Sequence, residues 1–148
     1  MSVLAAYDAL VAGGELRPDP EQRAAAERLN VLQTELEAAP PRGSLLWRLT
    51  GRKPEAPRGV YLWGGVGRGK SMLMDLFYDQ LHIRRKRRVH FHAFMLDVHA
   101  RMREVRKSEA GDPIPLVADA LVADVRCLAF DEMVVNNSAD AMILSRLF

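Results

Sequence analysis

Two rhythms of apolar and polar positions alternate along this chain. Between residues 19 and 39, Ala25, Leu29, Leu32 and Leu36 fall at helical spacing with charged residues opposite, the pattern of an amphipathic helix. Its start carries three signals. Asp19 can accept backbone N–H bonds as N-cap, Pro20 suits the first helical position, and Gln22 can reach back from the third. Pro40-Pro41 stops it. A shorter run, residues 3 to 12, predicts a helix ended by Gly13-Gly14. Residues 40 to 58 read as a connector, in which Leu45, Leu46, Trp47 and Leu49 predict a short packing helix, with a partner-binding patch as the alternative.

From residue 59 the rhythm changes. "GVYLW" reads as a buried strand, followed by a glycine-rich loop and a helix from about Lys70 to Leu81. "RVHFHAF" predicts a second strand starting near Val89, and residues 94 to 107 a helix. "PLVADALVAD" predicts another helix after a turn at Gly111 to Pro113. "VRCLAF" predicts a third buried strand ending at Asp131-Glu132, and "SADAMILSRLF" a last helix with Ser138 as N-cap. Strands alternating with helices specify an α/β fold with a largely parallel sheet. The chain thus divides into an N-terminal helical segment with its connector, residues 1–58, and an α/β part, residues 59–148.

Composition adds bounds. The 148 residues, 49% hydrophobic and 27% charged, suffice for a globular core. A net charge of +2 is too mild to imply a nucleic-acid partner by itself. The single cysteine, Cys127, forbids an intrachain disulfide and sits in an apolar run, where it reads as a small core residue in a reducing compartment. No apolar run approaches the roughly 20 residues of a membrane helix. Asp8 and Glu15 stand where a signal peptide avoids acid. Together these predict a soluble, cytoplasmic protein.

The chemistry concentrates in two places. Residues 64 to 71, Gly64-Gly65-Val66-Gly67-Arg68-Gly69-Lys70-Ser71, match G-x-x-x-x-G-K-[ST] in full. Glycines let the backbone wrap closely and aim its N–H groups at phosphate oxygens. The following helix points its positive end at the same place. Lys70 adds a point charge for the β- and γ-phosphates, and Ser71 offers a hydroxyl to Mg²⁺. The second place is "CLAFDE", residues 127 to 132, an apolar strand ending in two carboxylates. In an open parallel sheet ligands sit beyond the carboxyl ends of the strands. There Asp131 would orient Mg²⁺ or its water and Glu132 would polarise an attacking water. A glutamate directly after the aspartate argues against small-molecule kinases, which must exclude water. The absence of Asn-Lys-x-Asp argues against GTPases. ATP with a water nucleophile is the reading that remains.

Other features have blander readings. "RRKRR", residues 84 to 88, could grip nucleic acid or anionic lipid, but it carries no stacking platform and reads first as a solvated loop. His90 and His92, expected on one strand face, and His99 have no cysteine or acidic ligand at metal-like spacing. The methionines and phenylalanines of "MLMDLF" and "FMLDVHARM" read as core.

With these residues in hand, the chain resembles the ZapE-type, or AFG-one-like, P-loop ATPases of AAA+ type. The resemblance runs from about Tyr7 to the last residue and rests on "YDALVAGGELRPDPEQ", "GVYLWGGVGRGKSMLMDLFY", "RKRRVHFHAFMLDVHARM", "DPIPLVADAL", "CLAFDE" and "ADAMILSRLF". It implies Mg²⁺-dependent ATP binding and hydrolysis. In bacteria it implies a role in cell division, at the constricting ring, and in mitochondria protein quality control. It also implies protein partners and homo-oligomers of full-length members. Gly64 to Ser71 match the family's phosphate loop, Asp131 and Glu132 its acidic pair, and Asp19 to Gln22 a segment near the adenine.

Two departures stand out. Family members read Asp-Glu-Phe, a variable residue, then Val-Thr-Asp, whereas residues 131 to 137 read Asp-Glu-Met-Val-Val-Asn-Asn. Asn136 and Asn137 thus replace a hydroxyl and an acid, which bears on the timing of hydrolysis. Family members are also more than twice as long. The resemblance therefore implies that the C-terminal part of the ATPase domain, with its next strand, sensor residue and arginine finger, is missing here. It implies weak hydrolysis, or a catalytically inactive binding module, for this chain alone. A nucleic-acid-stimulated ATPase using Arg84 to Arg88 is the further alternative.

Overall fold

A computed structural model describes residues 1–38, 45–51, 57–64, 69–108 and 111–148, apart from the side chains of Leu46 and Trp47. The chain forms two compact units, Met1–Ile83 and Arg84–Phe148.

The first unit is helical among the described residues: α1 (Val3–Ala12), α2 (Pro20–Ala38), α3 (Leu45–Thr50) and α4 (Lys70–Gln80). Helix α1 starts where Ser2 Oγ accepts the Ala5 amide at 3.1 Å and ends at Gly13. Asp19 caps α2 as its side-chain type dictates, Oδ1 accepting from the amides of Glu21 at 2.8 Å and Gln22 at 3.2 Å. The Tyr7 hydroxyl donates to the Asp19 carbonyl at 3.3 Å, and Arg23 pairs with Asp8, so the α1–α2 corner is tied from both sides. The helical stripe of α2 buries Ala26, Leu29, Leu32 and Leu36. Helix α2 packs against α1, which buries Val3, Ala6 and Tyr7, and against α4, which buries Leu73 and Phe77 with Leu81 at its C-cap.

One polar side chain sits inside this core. Gln33 is 4% exposed. Its Oε1 accepts the Val3 amide at 2.9 Å, and its Nε2 donates to the Gln80 carbonyl at 3.0 Å, the Met1 carbonyl at 3.3 Å and Glu37 Oε1 at 3.1 Å. A buried amide is tolerated because its groups are matched. Gln33 thereby joins the start of α1 and the end of α4 to the middle of α2. The same Glu37 oxygen accepts the His82 amide at 2.8 Å. That backbone bond is the main reason the Glu37 carboxyl lies below its ordinary value of 4.5, with burial opposing the shift.

The segment "GVYLW" is not a strand. Residues 59–63 pair with no other strand among the described residues, and Tyr61 and Trp63 are 68% and 82% exposed. The short helix expected in the connector forms as α3. Its Leu45 and Leu49 are exposed rather than packed.

The second unit runs β1 (Lys86–His90), α5 (Phe91–Ser108), α6 (Ile114–Asp124), β2 (Cys127–Asp131) and α7 (Ser138–Leu147). The strands pair in parallel, from Lys86 with Cys127 to His90 with Asp131. A parallel pair needs a long crossover, here α5 and α6. Phe91, Phe94, Met95, Val98 and Met102 of α5, Ile114, Val117 and Leu121 of α6, and Ile143 and Leu144 of α7 form the core under the strands. Phe130 of β2 packs edge-on to Phe94 at 4.7 Å and Phe91 at 5.9 Å between ring centroids.

Several boundaries differ from the sequence expectation. The strand ends at His90, and "FHAF" begins α5, because the phenylalanines complete a helical stripe with Met95, Val98 and Met102. His90 and His92 therefore do not share a strand face. The basic run is not wholly a loop, since Lys86 to Arg88 lie in β1. Asn137, not Ser138, caps α7. Cys127 is half-buried, and burial pushes its thiol above the ordinary value. No helix among the described residues is long and apolar enough to cross a membrane.

Two outcomes test this packing. Gln33→Leu should cost about 2–3 kcal/mol in urea denaturation, since it strands the buried Val3 amide and Gln80 carbonyl. Glu37→Gln should be less stable than wild type at neutral pH. Because the folded-state pKa of Glu37 is depressed, its contribution is present above the ordinary value of 4.5 and fades as pH falls through the lower folded value. The two proteins should therefore converge in melts taken at progressively acid pH.

Candidate nucleotide-binding site

The glycine loop lies in the first unit. Gly65, Val66, Gly67 and Arg68 fall outside the described residues. Gly64, Gly69, Lys70 and Ser71 are described and cluster at the start of α4. Gly69 is the N-cap of that helix, with φ 76° and ψ 16°, a left-handed conformation that glycine adopts without strain. It brings no side-chain capping bond to the first turn. A Cβ here would also meet Gln22 Nε2 at 2.9 Å, so the start of α2 lies against the loop's last glycine.

Lys70 occupies the first position of α4, and no acidic residue sits in that turn. A cation at a helix N-terminus opposes the helix dipole. The ammonium folds back and donates to the Gly64 carbonyl at 2.6 Å, closing the loop across its own ends. Ser71 follows, its side chain exposed. The start of α4 therefore gathers amides, a dipole end and an ammonium, and lacks a negative charge.

The acidic pair lies in the second unit. Asp131 ends β2, and its carboxylate is held by the Arg88 fork: Nε to Oδ2 at 2.8 Å and Nη2 to Oδ1 at 3.0 Å. These bonds hold the Asp131 carboxyl below its usual range, against the opposing effect of partial burial. Glu132 is exposed and has φ 53°, the one described non-glycine residue with positive φ. Such a conformation costs a non-glycine residue roughly 1–2 kcal/mol, and backbone strain of this kind concentrates at functional turns.

The asparagines after the pair have a structural account at one position. Asn137 Oδ1 accepts the Asp140 amide at 2.8 Å, and its Nδ2 donates to Asp140 Oδ2 at 3.1 Å. Asp140 Oδ1 lies 2.9 Å from His99 Nε2 on α5. An aspartate at 137 could cap the helix equally well but would set a second carboxylate against Asp140. Asn136 is exposed, and nothing in the structure explains it.

Sequence reasoning passed over one partner. Arg88 was legible only as one basic residue in a run of five, since its carboxylate lies 43 residues away across a strand pair. Gln22, expected as a capping residue and by resemblance as part of a segment near the adenine, lies against Gly69. Two more residues of the basic run have partners: Arg85 donates to the Ala123 carbonyl at 2.7 Å, and Arg87 lies 3.9 Å from Asp97. Among the described residues no three His, Cys, Asp or Glu side chains form a metal-binding cluster.

Taken singly, the start of α4 is matched to phosphate, and the Ser71 hydroxyl in the first unit and the Asp131 carboxylate in the second are each hard oxygen donors.

A family model for AFG1-like ATPases matches residues 1–148. The chain is 40% identical over 145 residues to the cell division protein ZapE of Escherichia coli (strain K12), covering 90% of this chain and 38% of that protein. It is 36% identical over 191 residues to lactation elevated protein 1 homolog B of Danio rerio, covering 96% of this chain and 38% of that one. The chain thus spans just over a third of the length of these curated relatives. No solved structure matches it.

Gly69→Ala should destabilise the protein by roughly 1–2 kcal/mol through its positive φ alone, with a further loss from the Gln22 contact. Adding Gln22→Ala should restore the second loss and not the first. Urea denaturation of the four proteins in this double-mutant cycle reads both terms.

Proposed function

The chain belongs to the AFG1-like ATPase family, and from that premise we propose that it binds Mg·ATP and that the protein to which this sequence corresponds hydrolyses it. In this reading residues 59–148 are part of a P-loop ATPase domain of AAA+ type. Gly64 to Ser71 would hold the phosphates, with Lys70 neutralising the β- and γ-groups and Ser71 a magnesium ligand. Asp131 would orient the magnesium or its water, and Glu132 would polarise the attacking water. Magnesium, when bound, supplies charge neutralisation at the phosphates.

The observation that carries the reading is the start of α4. A left-handed glycine is followed by a lysine at the positive end of an 11-residue helix with no acid in its first turn. In isolation that arrangement works against itself, and the lysine is satisfied by a carbonyl of its own loop. A phosphate would replace that carbonyl with a full negative charge and meet the helix dipole at once.

The likeness to a cell division protein supports a role in division through protein partners, by way of the parent family. The internal engagement of Arg85, Arg87 and Arg88 weighs against the basic run as a nucleic-acid grip.

Calorimetry with Mg·ATP on the purified chain tests the proposal, with circular dichroism to compare folding. The wild type should bind, and Lys70→Ala should lose at least about tenfold in affinity, the loss of a charge-assisted phosphate contact. A folded wild-type chain that takes no Mg·ATP would sink the reading for this sequence.

A further inference from the structure

The acidic strand end already holds a cation of the protein's own. Arg88 and Asp131 lie on adjacent parallel strands, with Arg88 beside Ala129 and Asp131 beside His90 in register. The arginine side chain must therefore run along the strand by two positions, roughly 6–7 Å, to place its fork on the carboxylate. Both carboxylate oxygens are engaged, at 2.8 Å and 3.0 Å. The side chains are 27% and 19% exposed, so water screens the pair only in part.

An ionised carboxylate offers about four lone-pair positions, and a bidentate guanidinium takes one on each oxygen. A magnesium-sized ion bound directly to either oxygen would sit at about 2.1 Å. It would then stand close to the guanidinium, with like charges facing each other across a partly desolvated carboxylate. With Arg88 in place the charges of Arg88, Asp131 and Glu132 sum to −1, and without it to −2.

We propose that Arg88 is a positioning residue that fixes the orientation of the Asp131 carboxylate and competes with divalent cations for it. Direct coordination at Asp131 is disfavoured while the fork is closed, and a metal is met through water or after the arginine turns away. The inference rests on the reading of Asp131 as the carboxylate that faces the metal of Mg·ATP. It differs from that reading in assigning the competitor.

The test is Mn²⁺ binding by the 148-residue chain without nucleotide, read from the free-ion electron paramagnetic resonance signal. Arg88→Gln should bind Mn²⁺ at least about tenfold more tightly than wild type, as expected for removing one unit charge near the ion. Arg88→Gln combined with Asp131→Asn should lose the gain. Arg88→Lys should fall between, because an ammonium donates as a point charge and leaves one oxygen less covered. A folded Arg88→Gln that binds Mn²⁺ no better than wild type, or a gain that survives Asp131→Asn, would overturn the proposal. Should Arg88→Gln fail to fold by circular dichroism, Arg88→Lys decides alone: tighter binding supports the competition and unchanged binding refutes it. Loss of Mg·ATP binding by the wild type would fall on the nucleotide reading and leave this comparison legible. A flat Mn²⁺ comparison beside intact ATP binding would fall on this inference only.

Discussion

The second unit is organised by one constraint: its two strands are parallel. Parallel strands cannot be joined by a tight turn, so the chain between His90 and Cys127 must travel back along the sheet. It does so in two helices, and those helices supply most of the apolar cluster beneath the strands. Parallel pairing also brings both strands to the same end, His90 beside Asp131. Arg88 can then reach the carboxylate at the strand terminus, and Phe130 can meet Phe91 and Phe94 where α5 begins. Placement of the acidic pair and formation of the core are thus two results of a single pairing.

The first unit reaches a comparable end by other means. No sheet organises its described residues. A buried amide does part of that work, with Gln33 serving the start of α1, the carbonyl at the end of α4 and Glu37 at once. Apolar packing alone would hold three helices with some freedom to slide. Directional bonds from one buried side chain fix where α4 ends relative to α2. At its other end α4 begins at Gly69, against Gln22 near the start of α2. Helix α4 thus lies beside α2 at both ends, through the Gln33 bond at its close and by close approach at its start.

The start of α4 and the end of β2 show opposite electrostatic conditions. The start of α4 has a surplus of positive potential, with Lys70 turned to a carbonyl of its own loop. The end of β2 has negative groups, one of them already neutralised by a guanidinium. The departure at Asn137 leaves the helix-capping function intact, and it keeps a neutral amide between the turn and Asp140.

What the sequence by itself determined is largely local. The cap at Asp19, the stripes of α2 and α4 and the apolar run ending in Asp131 are legible because capping and helical period depend on residues a few positions apart. The glycine-loop motif belongs to the same class, since its chemistry lies in consecutive residues. Tertiary structure decided what depends on distant partners. "GVYLW" has strand-forming composition, yet a strand is a pairing, and residues 59–63 have no ladder partner among the described residues. "FHAF" has it too, but Phe91 and Phe94 gain more by completing a buried helical face than by extending β1. The partner of Arg88 was decided the same way, because the register of two strands separated by a crossover is fixed by the core that the crossover builds.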